Sequence, residues 1–268
     1  MSVEMTDRER SRTADADAPP LLELRGASKA YGNVQALTDV DFTVRAGEVV
    51  ALLGDNGAGK STLVKAIAGA NQLTSGEMLI AGSPTTISSP AEASRHGIET
   101  VYQDLALCDN LDVTANLYLG RELRVRSLGM MDQIAMEKSA QAVIADLAAT
   151  IPSLDRLVSG LSGGQRQAVA VARAALWGSR VVLLDEPTAA LGVAQTHMVY
   201  ELVRKLRDRG IGVVVVTHNM ADAFAIADRI TVLRLGRNAG EFSPLRNTPE
   251  QVVAAITGAD TLNGGHGR

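Results

Sequence analysis

The chain has 268 residues, enough for one large core with a subdomain attached, and its composition is ordinary for an α/β protein apart from scarce aromatics at 3%. Its net charge of -4 gives no electrostatic case for nucleic-acid binding, and no apolar run of about 18 residues occurs that could cross a bilayer. A single cysteine, Cys108, excludes an internal disulfide and suits the cytosol, and the N-terminus lacks the cationic patch and apolar segment of a signal peptide.

Residues 1–20 are polar, charged and end in Pro19-Pro20, which reads as a disordered arm. Leu21 to Leu24 starts a first strand, and Val40 to Val44 alternates apolar and polar as a half-buried antiparallel strand does. Between them Lys29-Ala30-Tyr31-Gly32 places an aromatic in a loop. Glu48 to Leu53 is a short apolar run suited to a buried strand. Directly after it, Gly54-Asp55-Asn56-Gly57-Ala58-Gly59-Lys60-Ser61-Thr62 fits G-x-x-x-x-G-K-[ST] at every position, and Leu63, Ala66, Ile67 and Ala68 recur at helical spacing. A strand feeding a glycine-rich loop that opens a helix leaves backbone N–H groups aimed at one spot, where the helix dipole favours a polyphosphate. Lys60 adds one mobile positive charge for the β- and γ-phosphates, and the Ser61 hydroxyl is placed to ligate Mg²⁺.

Ser75-Gly76-Glu77 turns into the strand Met78 to Ile80, and Ser89-Pro90-Ala91-Glu92 caps a short helix closed by Gly97. Ile98 to Tyr102 returns as a strand with Gln103 at its end. From there to about Ser159 the pattern is helical: Asp112 caps one helix and Asp132 another, with Ile134, Val143, Ile144 and Leu147 as its apolar side. Arg121, Arg124 and Arg126 cluster between the two helices and read as a solvated loop, and Cys108 reads as a packing residue. Ser162-Gly163-Gly164-Gln165 opens a further helix running to about Trp177, and the serine cap with two glycines makes a second anion trap. The strand Val181 to Leu184 ends at Asp185-Glu186, a helix from Val193 stops at Gly210, and the strand from Ile211 ends at His218. Ile230 to Leu235 is a last strand and hairpin, and Thr248-Pro249-Glu250-Gln251 caps a helix that stops near Gly258 before a flexible tail. Strands alternating with helices predict a mainly parallel α/β sheet, with an antiparallel β part beside it and an α-helical insert.

Strand ends on one edge of such a sheet bind ligands, and Gln103, Asp185, Glu186 and His218 all fall at strand ends. There an acidic residue can hold Mg²⁺, a second carboxylate can deprotonate an attacking water, and an imidazole can reach a γ-phosphate. His96, His197 and His266 have no such companions and read as solvated. A second anion trap makes sense if it closes over the nucleotide held by another copy.

The set Tyr31, Gly54 to Thr62, Gln103, Leu161-Ser162-Gly163-Gly164-Gln165, Asp185-Glu186 and His218 resembles, in that order, the ATP-binding cassette (ABC) ATPases, over about Leu21 to Phe242. The resemblance implies a P-loop NTPase core with a helical subdomain at about 104–177, and a C-terminal helix and tail over 243–268. It implies ATP and Mg²⁺ as ligands, Tyr31 stacked on adenine, Ser61, Gln103 and Asp185 at the metal, Glu186 as general base and His218 and Gln103 at the γ-phosphate. Ser162 to Gln165 would then contact the nucleotide of the opposite subunit in a head-to-tail dimer. One departure stands out: after Ala189-Ala190-Leu191 the chain has Gly192 where the family usually has an aspartate between subunits.

The stretches Thr100 to Val113 and Glu186 to Val193 are similar to the ATPase subunits of bacterial monosaccharide importers of the fructose, ribose and xylose type. That resemblance implies a peripheral subunit on the cytoplasmic face of the cell membrane. Its partners would be a membrane permease, docked at Cys108 to Val113, and through it a periplasmic or extracellular sugar-binding protein. An importer for another small solute and a soluble, non-transport ABC ATPase are the competing readings. The soluble kind would need tandem cassettes or a long coiled coil, and the chain shows neither.

Overall fold

The structure is a computed structural model, and it describes residues 18–125 and 129–259. The expected N-terminal arm up to Asp17, Arg126, and the tail that includes His266 lie outside the described residues.

In chain order the elements are β1 (Leu22–Tyr31), β2 (Val34–Val44), β3 (Val49–Leu53), α1 (Lys60–Ile67), β4 (Ser75–Ile80), β5 (Ser83–Pro84), α2 (Pro90–Arg95) and β6 (Ile98–Val101). Then follow α3 (Val113–Tyr118), α4 (Gln133–Asp146), a 3₁₀ turn (Val158–Gly160), α5 (Gly163–Leu176), β7 (Val181–Asp185) and α6 (Val193–Asp208). The chain continues through β8 (Gly212–Val216), α7 (Met220–Ile226), β9 (Arg229–Arg234), β10 (Arg237–Phe242) and α8 (Pro249–Thr257).

Among the described residues the strands form two sheets. One is antiparallel in the order β2-β1-β4-β5; the other runs β10-β9-β3-β8-β7-β6, parallel except for the β9–β10 hairpin. The alternation in β1 explains the antiparallel sheet: Leu22 and Leu24 are buried opposite Val44 and Phe42, while Glu23 is only half-buried. The parallel strands are apolar on both sides, as burial on two faces requires, and every residue of β3 and β8 is buried. In β8, Val213 and Val215 face a core built with α5, α6 and the helices of the insert. Val214 and Val216 face the opposite core, shared with α1 and the antiparallel sheet. A third cluster joins Ala51, Leu53, Ile230 and Val232 to Val252 of α8.

Four local expectations change. Tyr31 is the last residue of β1, paired with Val34, so the turn is Gly32-Asn33 and the aromatic is carried on a strand end. Ile134 is 82% exposed; the inner stripe of α4 is Met136, Ala140, Val143 and Ile144, from which Ile134 is rotated by about 200° as position i−2. Arg121 is not a solvated charge: it pairs with Glu99 at 3.0 Å and lies 5.1 Å over the Trp177 ring, joining the insert to the core. His96 is half-buried at the end of α2, whereas His197 is exposed with its ring edge-on to Tyr200.

Candidate ATP site

The phosphate loop follows β3 because the strand ends in a sharp turn that only glycine accepts. Gly54 has φ +150, and a Cβ there would lie 2.3 Å from the Leu233 carbonyl oxygen. Gly59 caps α1 at φ +103 and fits against Leu37 and Ala36 of β2. The first helical hydrogen bond runs from Leu63 N–H to Gly59 O at 2.9 Å, so the N–H groups of Lys60, Ser61 and Thr62 precede the ladder and point forward. Gly57 and Ser61 are exposed, Ala58 is buried, and Asp55 and Asn56 stand on the open rim. The Lys60 ammonium is buried and donates to Gly54 O at 2.5 Å and Asp55 O at 3.1 Å. Burial pushes its pKa down, opposed by Glu186, Asp55 and Asp185.

Those opposing charges place the end of β7 beside the loop. Burial and the neighbouring Glu186 carboxylate push the Asp185 carboxyl up, and Lys60 pulls it back. Asp185 lines an open cavity of about 500 Å³ together with Gln103, which brings the glutamine to the carboxylate side of the site. Glu186 adopts a left-handed φ of +48, uncommon for a side chain with a Cβ, and its N–H donates to Val216 O at 2.9 Å. Its Oε1 lies 2.9 Å from His218 Nδ1, delivered by the neighbouring β8. An ionised carboxylate only accepts, so Nδ1 is the donor in this contact, and the other ring nitrogen can donate to a phosphate oxygen only when it also carries a proton.

Tyr31 is 44% exposed, with Lys29 Nζ 5.1 Å from its ring centroid and its hydroxyl accepting from Asn71 at 2.8 Å. It stands on the same β1–β2 pair that abuts Gly59. Ser162 caps α5: its hydroxyl accepts from Gln165 N–H at 3.3 Å and Gln165 Oε1 accepts from Ser162 N–H at 3.0 Å. Gly163 and Gly164 let α6 and the turn before it approach, since Cβ atoms there would meet Leu191 at 3.0 Å and Gln195 at 3.2 Å. Among the described residues the Ser162 to Gln165 segment shares no hydrogen bond with the phosphate loop of its own chain. Two further side chains were not visible as site residues in the sequence. Arg173 of α5 donates to Ala106 O at 2.7 Å and Leu105 O at 2.9 Å, gripping two consecutive left-handed residues just after Gln103. Asn116, buried in α3, binds the backbone of Cys108, Leu111 and Asp112.

A site of this make-up suits a magnesium nucleotide. The oxygens on hand are the Ser61 hydroxyl, the Asp185 carboxylate and the Gln103 amide, all hard donors, and among the described residues no cluster of three or more His, Cys, Asp or Glu forms a cage. Magnesium held by few protein oxygens and completed by phosphate oxygens matches that donor set.

The family model described as ABC transporter matches residues 37–189. The fructose import ATP-binding protein FrcA of Rhizobium meliloti is 48% identical over 246 residues, 90% of this chain and 95% of that protein. The xylose/arabinose import ATP-binding protein XylG of Sulfolobus acidocaldarius is 45% identical, covering 88% of this chain and 94% of that protein. The ribose import ATP-binding protein RbsA of Yersinia pestis is 43% identical over 89% of this chain, which spans only 46% of that longer protein. Among solved structures, a dimeric ATP-binding cassette in a post-hydrolysis state with ADP and phosphate superposes with a TM-score of 0.70 at 29% identity, over 85% of this chain and 100% of that one. With the phosphate loop, the strand-end carboxylates and this similarity in hand, the chain belongs to the ABC transporter family as an ATP-hydrolysing cassette.

Proposed function

We propose that this chain energises the import of a monosaccharide through a separate membrane permease, working as one of two cassettes that close on ATP. The observation that carries the hydrolytic part is the Glu186–His218 contact at 2.9 Å, held at the strand ends beside Lys60. The sugar part rests on the likeness to the fructose and xylose/arabinose import proteins, each matched over nearly its whole length. No described helix is long and apolar enough to cross a membrane. In this reading, which rests on the likeness to the import ATP-binding proteins, the permease carries the translocation path and this chain sits at its cytoplasmic face. A sugar-binding protein on the far side would hand the solute to that permease.

In the proposed cycle Tyr31 stacks on the adenine, and the N–H groups of Asn56, Gly57 and Gly59 to Thr62 receive the phosphates, the Ala58 N–H being held by Asp55 O. The Lys60 ammonium exchanges the Gly54 and Asp55 carbonyls for phosphate oxygens. Magnesium, when bound at Ser61, Gln103 and Asp185, supplies charge neutralisation at the transferring phosphoryl group. Glu186 takes a proton from the water that attacks the γ-phosphorus, the bond to the ADP oxygen breaks, and ADP and inorganic phosphate result. His218 orients Glu186 through Nδ1–H and, as the imidazolium, donates its other N–H to a γ-phosphate oxygen. The Ser162 hydroxyl and the α5 N-terminus point at the nucleotide of the second copy, for which the solved dimeric cassette is the supporting parallel.

The test is a tagged Glu186→Gln protein recovered from solubilised membranes with ATP present. The expected result is ATP binding, turnover lowered by about 100-fold or more, and co-purification of a permease with a sugar-binding protein. Recovery of a soluble homodimer alone would keep the ATP chemistry and remove the transport reading.

A further inference from the structure

Glu186 and His218 come from different strands, and His218 has a side chain 68% exposed, so their own contact does not explain how two surface turns keep register. Directly behind them lies a carboxylate of the opposite character. Asp222, in the first turn of α7, is only 3% exposed. It accepts hydrogen bonds from three neutral donors: the Thr188 hydroxyl, the Tyr200 hydroxyl at 2.6 Å and the Asn219 amide at 3.0 Å.

The three donors come from three pieces of the site. Thr188 lies two residues after Glu186, in the turn that the left-handed Glu186 begins. Asn219 directly follows His218 and caps α7 through a bond from Ala221 N–H at 2.9 Å. Tyr200 projects from α6, the helix that Gly192 caps and that packs on the glycines of the α5 N-terminus. A strained backbone at Glu186 persists only where its surroundings over-determine it. Thr188 supplies the side-chain restraint on that turn, and the same oxygen pair restrains the turn of His218.

We infer that Asp222 is a positioning residue for ATP hydrolysis, a buried carboxylate that sets the Glu186 turn against the His218 turn through Thr188 and Asn219. The inference rests on the assignment of Glu186 and His218 as the hydrolytic pair. A carboxylate suits the post because it alone, among small side chains, offers acceptors to three donors at once. Asn at this position keeps the shape and turns two of its hydrogen-bonding sites into donors; Tyr200 and Asn219 share Oδ1, so the NH2 takes the Oδ2 side and the Thr188 hydroxyl loses its acceptor.

Three variants and one probe test this: Asp222→Asn, Thr188→Val, the double variant, and the imidazole resonances of ¹⁵N-histidine-labelled protein. Asp222→Asn is expected to lower kcat tenfold or more while the ATP dissociation constant stays within threefold. Thr188→Val is expected to show the same split with a smaller loss, and the double variant to be no slower than Asp222→Asn. The His218 ring signal is expected to shift in both single variants while that of His96, remote on α2, does not. Wild-type kcat in folded Asp222→Asn overturns the inference, as does additive loss in the double variant. If Asp222→Asn fails to fold, wild-type turnover and an unmoved His218 signal in Thr188→Val overturn it equally. Glu186→Gln runs alongside: full turnover there removes the hydrolytic pair itself, a failure distinct from that of Asp222.

Discussion

Asn116 is fully buried in α3 and its amide holds the backbone of the segment that precedes the helix. Its Oδ1 accepts from Cys108 N–H at 2.7 Å, and its Nδ2 donates to Cys108 O at 3.0 Å, Asp112 O at 2.9 Å and Leu111 O at 3.2 Å. Truncation to alanine does not orphan all four groups. Cys108 O also accepts from Leu111 N–H, Asp112 O from the Asn116 N–H that remains, and Leu111 O from Val158 N–H. Cys108 N–H loses its acceptor. The freed Cys108 N–H is half-buried, so its loss costs about 1 kcal/mol, and the weakened carbonyls and the small cavity bring the total to about 1–3 kcal/mol. A urea melt followed by circular dichroism reads this as a lowered midpoint with an unchanged slope. A loss below about 0.5 kcal/mol would refute the bookkeeping. Asn116→Asp sharpens the test. The carboxylate accepts from Cys108 N–H but faces three carbonyl oxygens with no donor, so its folded-state pKa is raised above the unfolded value near 3.9. A raised pKa means stability is present below about pH 3.9 and is lost as pH rises through the folded value, so Asn116→Asp is less stable than Asn116→Ala at neutral pH and recovers in acid.

Two other substitutions probe the loops. Gly54→Ala places a methyl group 2.3 Å from the Leu233 carbonyl oxygen, so it costs on the order of 3 kcal/mol and weakens ATP binding, read by thermal melt and by fluorescent-nucleotide titration. Gly192→Asp goes the other way: φ is −74, nothing lies within 4 Å of the added Cβ, and the residue is the N-cap of α6. An aspartate there raises stability by a few tenths of a kcal/mol to about 1 kcal/mol, and a lowered melting temperature would contradict the cap geometry.

The phosphate loop, the strand-end carboxylates and His218 were legible because each is a local pattern: a strand, a fixed spacing and a change of period. The ABC fold follows from the same alternation of strands and helices, and the family match bears it out. Asn116, Asp222 and Arg173 were not legible, because what marks them is their partners. Asp222 meets Thr188 from 34 positions away and Arg173 meets Ala106 from 67, distances over which a single sequence carries no pattern. Ile134 was misplaced for a different reason. The α4 stripe includes Ala140, a weak apolar marker, so a nearby isoleucine outweighed it. Gly32 after Tyr31 suggests a loop, whereas pairing with Val34 carries β1 to the tyrosine itself.

Arg173 makes α5 a lever. Ten residues separate Gly163, where the helix opens, from the guanidinium that grips Leu105 and Ala106, an arm of about 15 Å at 1.5 Å per residue. Each ~10° of tilt about that joint sweeps the Ser162 end through ~2.6 Å, close to the length of one hydrogen bond. In the cycle proposed above, a rotation of that size at the loop beyond Gln103 is the difference between the Ser162 end reaching the partner copy's nucleotide and missing it.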